Sequence, residues 1–205
     1  MKKLFSLSLL CASVFIFSQN IKFGVKANVI YNASQPEWKQ IVGAAESLIA
    51  DQGKSSVGYN VGVSLKMDLP ITSLFLMPEL YYTTFKSSTN FNNVELTAKS
   101  DRVDLPVLLG YNILGDKLGV FVGPVASYNL STNNQFADFK ENATKEFTMG
   151  YQLGAQVMIS NLILNARYEG AFSKDQREFI NSNLNQTLRY DSRSSLFLIG
   201  AGVKF

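Results

Sequence analysis

The chain has no histidine and only one cysteine among its 205 residues. Without histidine it lacks the commonest general base, the commonest metal ligand and the usual partner of a serine or cysteine nucleophile. We therefore predict that the protein is not an enzyme and that it holds no cofactor and no metal. The residues leave two alternatives open: a serine–lysine catalytic site, and a calcium site formed by Asp175, Glu178 and Asp191.

The sequence also lacks a strong excess of either charge sign. Its 19 basic and 16 acidic residues give a net charge of only +3, and the basic residues are scattered. A nucleic-acid-binding surface needs clustered cations. We therefore expect no nucleic-acid partner.

The only long apolar run lies at the N-terminus. Lys2 and Lys3 precede 14 apolar or small residues, 4–17, which are too few to span a bilayer as a helix. This pattern predicts a signal peptide over residues 1–18, followed by one domain over residues 19–205. Ile16 is a poor match to the small-residue rule for cleavage.

Cys11 could instead be read as the lipid-bearing cysteine of a lipoprotein. Leu10 before it is bulky, however, and the apolar run continues past it. Cleavage after Ser18 would leave an exported chain without cysteine, which excludes disulfides and thiolate chemistry. No later segment reaches the ~20 consecutive apolar residues of a transmembrane helix, so a membrane-embedded chain would have to form a closed barrel.

The dominant pattern in the rest of the chain is an alternation of period two. It is clearest in residues 103–130, where two arms flank the turn 114–117. One face of both arms is apolar, while the other is small, mixed and partly charged. Period two over arms of this length is typical of two antiparallel strands joined by a tight turn.

Eight segments of this kind can be recognised, each long enough for a tilted strand to cross a bilayer. They are residues 20–31, 56–68, 73–85, 103–112, 118–130, 146–159, 162–172 and 194–205. Long and short connections alternate strictly between them, as in outer-membrane barrels with short periplasmic turns and long external loops. We predict an all-β fold: an eight-stranded antiparallel up-and-down transmembrane barrel with its apolar face toward lipid. A soluble lipocalin-like periplasmic carrier, with the faces reversed, is the alternative.

Aromatic residues support the membrane prediction. Six tyrosines on the apolar face fall toward the long-loop ends of their strands, where an aromatic girdle lies at the lipid–water interface. They are Tyr31, Tyr59, Tyr82, Tyr128, Tyr151 and Tyr168. Pro78, Pro106 and Pro124 interrupt strands, so bulges or splayed pairs are expected beside them.

The first long connection has a different period. Apolar residues of 36–52 recur at helical spacing, which predicts a short amphipathic helix in the first extracellular loop. It could pack on the mouth of the barrel, or it could dock a partner or the membrane surface.

Charged residues on the inner face have to be paired, because an eight-stranded barrel is only wide enough for its own side chains. Our hypothesis is an ion-pair network that plugs the lumen, with Glu79 and Arg167 at its centre. The other proposed members are Asp104, Glu169, Lys26 and Lys66, and the inner face also carries Lys22, Asp68, Arg102 and Lys204.

Three strings in the sequence resemble the PorT-like outer membrane β-barrel family: residues 75–82 (FLMPELYY), 102–111 (RVDLPVLLGY) and 121–128 (FVGPVASY). Residues 23–29, the Ala166-Arg167-Tyr168 stretch and the closing GVKF are similar to it too. The terminal Phe205, after alternating apolar residues, resembles the signal read by the barrel assembly machinery. The insertion at 36–52 departs from the compact family pattern.

The resemblance implies a bacterial outer-membrane protein that acts through its external loops and rim. We expect a structural or interaction role, with secretion or surface assembly as its setting. Expected contacts are outer-membrane lipid, the assembly machinery and other envelope proteins. A narrow pore is the alternative function.

Overall fold

The computed structural model describes residues 21–32, 37–42, 45–48, 57–70, 72–91, 94–130, 135–136, 139–143, 147–172, 175–181, 186–192 and 195–205. The predicted signal peptide lies outside these residues. Fourteen strands follow one another in the described part: β1 Ile21–Asn32, β2 Glu37–Val42, β3 Ala45–Leu48, β4 Val57–Asp68, β5 Leu74–Phe91, β6 Val94–Asn112, β7 Leu118–Asn129, β8 Gln135–Phe136, β9 Phe139–Ala143, β10 Phe147–Ile159, β11 Leu162–Ala171, β12 Asp175–Asn181, β13 Gln186–Ser192 and β14 Ser195–Lys204.

Eight of these strands form a closed antiparallel barrel in the order β1-β14-β11-β10-β7-β6-β5-β4. They correspond to the eight alternating segments, and the predicted barrel is confirmed. Along each barrel strand, successive side chains are alternately buried inside the barrel and exposed on its outer surface. Val107, Val122 and Leu153 are 39%, 55% and 46% exposed on the outside, so the apolar face points outward, as a lipid-embedded barrel requires.

The prolines interrupt the hydrogen-bonded ladder without shifting its register. Between β5 and β6, pairing stops after Pro78↔Val107 and resumes at Tyr81↔Asp104. Between β6 and β7 it stops after Pro106↔Val125 and resumes at Leu109↔Val122. The unpaired positions include Pro106 in the first ladder and Pro124 in the second, because proline cannot donate a ladder hydrogen bond.

The remaining six strands form a second sheet, which we call the outer sheet, in the order β3-β2-β13-β12-β9-β8. Its strands come from the first, third and fourth long connections of the barrel. The second long connection, predicted over 86–98, instead continues β5 and β6 as a hairpin in which Phe91 pairs with Val94. Strands beyond the membrane need no lipid-facing apolar stripe, so period-two alternation could not reveal them.

The predicted helix over 36–52 is wrong where the structure describes the chain, because residues 37–42 and 45–48 are strands. Trp38 pairs with Tyr190, and Gln40 pairs with Leu188 of β13. A long-range backbone partner therefore overrides the local helical spacing, and aromatic and β-branched residues such as Trp38 and Ile41 suit a strand. No helix in the described ranges is long and apolar enough to span a membrane.

Candidate functional site

The inner face of the barrel carries the charged residues that the sequence analysis singled out. At its centre, the Arg167 guanidinium donates to both carboxylate oxygens of Glu79, the Nη2–Oε1 distance being 3.1 Å. Lys26 Nζ donates to Glu79 Oε1 at 2.7 Å. All three side chains are at most 1% exposed. These cations come from β1 and β11 and the carboxylate from β5, so the contacts span the lumen.

A second group of charges, which we call the upper group, lies toward the long-loop end. Arg102 Nε donates to Asp104 Oδ2 at 3.1 Å, and Arg102 Nη2 donates to Glu169 Oε1. The Thr83 hydroxyl donates to Asp104. Each buried carboxylate in this group therefore has a charge-assisted partner, as a site with little water requires.

Gln152 of β10 connects the two groups. Its amide nitrogen donates to Glu169 Oε2 at 2.8 Å, and its amide oxygen lies 3.4 Å from Arg167 Nη1. The central group holds two cations and one carboxylate, while the upper group holds one cation and two carboxylates. Together they form a neutral chain of six charges, which we call the lumen network, and it offsets much of the cost of burying each charge.

Lys66, which the sequence analysis assigned to the same network, belongs to a separate cluster at the turn end. Lys22 Nζ lies 2.7 Å from Asp68 and 2.6 Å from Asp116. Lys66 Nζ lies 3.4 Å from Asp68 and 3.5 Å from Asp116, and it donates to Asn112 Oδ1 at 2.8 Å. No ion pair between described residues joins this turn-end cluster to the lumen network.

An apolar layer separates the two sets of charges. It consists of Phe75, Met77, Leu108 and Phe121, all buried. Lys26 Nζ lies 3.4 Å from the Met77 sulfur on one side, and Lys66 Nζ lies 4.4 Å from the centre of the Phe75 ring on the other. The lumen is therefore filled by side chains, with an apolar layer between two charged groups, and it is packed like a protein core.

Asp116 is the member of the turn-end cluster that sequence reasoning missed. It lies in the turn between β6 and β7, where strand parity says nothing about direction. The hydrogen bond from the Lys22 ammonium lowers the pKa of the Asp116 carboxyl, and the charges of Lys22 and Lys66 act in the same sense while partial burial opposes them. Gln152 carries no charge and so is not among the predicted inner charges, although its place in the strand alternation points it inward.

The six girdle tyrosines lie on the outside of the barrel toward the long-loop end. Tyr31, Tyr59, Tyr82 and Tyr128 are exposed, and Tyr151 and Tyr168 are half-buried. Three ring contacts link four aromatic side chains in the order Phe172, Tyr151, Tyr168 and Phe197, with centroids 5.2 to 6.2 Å apart. At the other end, the rings of Phe205 and Phe23 lie 6.1 Å apart. The aromatic side chains thus form two levels on the outer surface.

Metal-ligating residues do not gather in the part of the chain that the structure describes, where no group of three or more His, Cys, Asp or Glu could hold a metal ion. The side chains of Asp175, Glu178 and Asp191, the alternative calcium site, lie outside that part. Their backbone segments belong to β12 and β13, in which Gln176 pairs with Asp191.

Comparison with known proteins agrees with the barrel. Residues 17–174 match the family model described as outer membrane protein beta-barrel domain, while no curated protein sequence matches the chain. The structure of outer membrane protein AlkL in lipid bilayers is similar in fold, with 9% identity, a TM-score of 0.51 and 92% of each chain covered. Escherichia coli outer membrane protein W has 13% identity and a TM-score of 0.49, covering 90% of this chain and 97% of that one. The Escherichia coli outer membrane protease OmpT has 6% identity and a TM-score of 0.40, covering 92% and 97%.

Proposed function

The chain belongs to the outer membrane protein beta-barrel domain family, and from this premise we propose that it is a non-enzymatic interaction protein of the outer membrane. In this proposal the barrel is a closed anchor, and the outer sheet is the surface that contacts partners. The observation that carries the proposal is the contrast between a filled lumen and an organised second sheet built from three barrel connections.

The filled lumen favours an anchor over a pore. Glu79 and Arg167 have no exposed side-chain surface, so water does not reach them from either mouth. Opening a path would require breaking charge pairs in a site of low dielectric, which is costly. Carboxylates of the lumen network are also held by cations, which leaves them poorly suited to act as general bases.

The outer sheet favours a role in binding. In the described residues its edge strands are β3 and β8, and edge strands carry backbone groups that can pair with a partner chain. The sheet stands at the long-loop end of the barrel, which faces the outside in proteins of this architecture. A partner in the envelope or at the cell surface would therefore meet this sheet first.

The finer assignment follows the sequence resemblance to the PorT-like family. It places the protein among accessories of secretion or surface assembly, exported by its N-terminal signal peptide and inserted by the barrel assembly machinery. What supports this assignment is the set of strings quoted above, three of which lie in β5, β6 and β7.

Affinity capture from detergent-solubilised outer membrane tests the proposal. Deletion of residues 37–48 removes β2 and β3 from the outer sheet, whereas deletion of residues 87–98 shortens the β5–β6 hairpin by the same length. We expect partners to be lost from the first variant and kept by the second. Identical partner sets from all three proteins would reject the outer sheet as the working surface.

Planar bilayer recordings test the closed lumen separately. The intact protein should show no conductance above background, because the lumen network blocks the centre of the barrel. Steady conductance of the intact protein would favour the narrow pore instead.

A further inference from the structure

The turn-end mouth of the barrel carries two lysines that form no ion pair with an acidic side chain of the described residues. In the turn-end cluster, two lysines face two aspartates, so that cluster is neutral. Lys117 lies in the β6–β7 turn and Lys204 at the end of β14. Neither lysine lies within 4 Å of a carboxylate in the part of the chain that the structure describes. Two ammonium groups therefore remain at this mouth in excess of the acidic side chains.

These two lysines line the same cavity. Its volume is about 320 Å³, and it is lined by Asp116, Lys117, Met158, Ile159, Ser160 and Lys204. The volume is at the lower end of the ~300–1,000 Å³ range of small-molecule sites. A smaller void of about 10 Å³ lies beside it, lined by Lys22, Lys66 and Lys204 among others. Lys204 borders both spaces, so its charge acts on anything that enters the larger one.

Asp116 also lines the cavity and would oppose an anion if its charge were free. Its carboxylate is 2.6 Å from Lys22 Nζ and 3.5 Å from Lys66 Nζ, however. The two lysines behind it therefore neutralise its charge. Lys117 and Lys204 are then the unpaired charges that line the cavity, and charges of one sign around a concave site favour ligands of the opposite sign.

Ser160 gives a further hydroxyl donor in an unfavourable backbone position. It is the first of two residues between β10 and β11, where Ile159 pairs with Leu162, and its φ is 56°. Glycine is preferred at a position of this kind because side chains crowd the backbone there. Serine occupies this position instead, and Ser160 lines the cavity.

We propose that this mouth is a binding site for an oxyanion, a phosphate or a carboxylate, held between Lys117 and Lys204 with the Ser160 hydroxyl as an additional donor. The site is separate from the outer sheet and from the proposed partner binding. Two sources can supply the same chemistry: a soluble periplasmic anion, or the phosphate of a phospholipid headgroup at the inner leaflet.

Calorimetry on the full chain in phosphatidylcholine nanodiscs tests the site, with sodium pyrophosphate as the soluble probe. We expect one-to-one binding that weakens about tenfold in the Lys117→Gln/Lys204→Gln double variant, because two charge-assisted contacts are lost. Lys99→Gln, in the β5–β6 hairpin at the opposite end of the barrel, makes the same kind of change and should bind as the wild type does. Heat-modifiable migration on gels checks that each variant is folded.

Nanodiscs that contain phosphatidylglycerol test the second source. Retention of this lipid by the wild type, lost in the double variant, would identify a headgroup site even if pyrophosphate gives no heat. Absence of both signals, or equal signals in the wild type and the double variant, would overturn the proposal.

Ser160→Gly separates the hydroxyl from the turn. Glycine relieves the left-handed backbone, so the variant should be more resistant to urea, yet it should bind the effective probe about threefold more weakly because one hydrogen bond is lost. Higher stability with unchanged binding would remove Ser160 from the site.

Discussion

Arg167 and Glu79 are 88 residues apart in the sequence and form a two-point ion pair at the centre of the barrel. Lys26 donates to the same carboxylate at 2.7 Å. One buried carboxylate therefore faces two buried cations, and the remaining positive charge is balanced by the upper group, to which Gln152 links it. The stability of the barrel should depend strongly on this one carboxylate.

Glu79→Gln should destabilise the folded barrel by about 3–5 kcal/mol, because Arg167 and Lys26 remain buried without a counter-charge. Urea unfolding in lipid vesicles measures the change. The double variant Glu79→Gln/Lys26→Met removes one charge of each sign, keeps the lumen network neutral and should lose much less. A Glu79→Gln protein as stable as the wild type would contradict the buried network.

Gly110→Ala should destabilise the barrel by about 1–3 kcal/mol through overpacking. A Cβ at Gly110 would lie 2.1 Å from a ring carbon of Phe75, and Phe75 is fully buried in the apolar layer. The cost should fall when Phe75→Leu makes room, so unfolding of the two single variants and the double variant is the measurement. An equal cost of Gly110→Ala in both backgrounds would show that the ring is not the obstacle.

The turn-end cluster should make stability depend on acid pH through Asp116. Its pKa is lowered in the folded protein from an ordinary value of 3.8, so its ionised form stabilises the fold above that value. This contribution should be lost as the pH falls through the lowered folded value. The urea midpoints of wild type and Asp116→Asn should therefore differ at neutral pH and converge in strong acid.

The size of this difference should be modest, about 0.2–1 kcal/mol, because the Asp116 side chain is 54% exposed and solvent screens the pair. High salt should reduce it further. A difference that grows as the pH falls would have the wrong sign for a stabilising carboxylate.

Arginine on the lipid-facing surface should report the orientation of the barrel wall. Val122 lies midway along β7 and is 55% exposed, while Leu114 lies in the β6–β7 turn and is 64% exposed. Val122→Arg should cost about 2–4 kcal/mol in a bilayer, whereas Leu114→Arg should cost about 0–1 kcal/mol because it lies near the interface. Equal unfolding free energies for the two variants would argue against a membrane around Val122.

Removal of Phe205 tests its proposed part in assembly. The deletion also removes the ring contact with Phe23, whose centroid is 6.1 Å away, so Phe23→Ala is the matched control. We expect the deletion to lower the amount of heat-modifiable barrel in the outer membrane, and Phe23→Ala to leave it near the wild-type level. Equal loss in both variants would assign the effect to packing.

Sequence alone was sufficient for the barrel because its signal is local. A strand in a bilayer must alternate between lipid and lumen at every second residue, so Val107, Val122 and Leu153 revealed their outward direction without knowledge of any partner. The same parity placed Glu79 and Arg167 inside. Strict alternation of long and short connections then indicated how the eight strands are arranged.

Only the tertiary structure decided which inner charges meet. The alternation along a strand shows whether a side chain points inward, but it does not show the side chain's position along the barrel axis. The sequence predicts Lys66 in one network with Glu79, yet the apolar layer around Phe75 separates them, and Asp116 joins Lys66 from a turn, where strand alternation does not apply. The outer sheet likewise could not be predicted from the sequence. Trp38 fits a helical period locally, and its pairing with Tyr190 depends on a contact between segments that lie far apart in the chain. Local periodicity is set by the solvent on each side of a strand, whereas partner choice is set by which strands lie side by side.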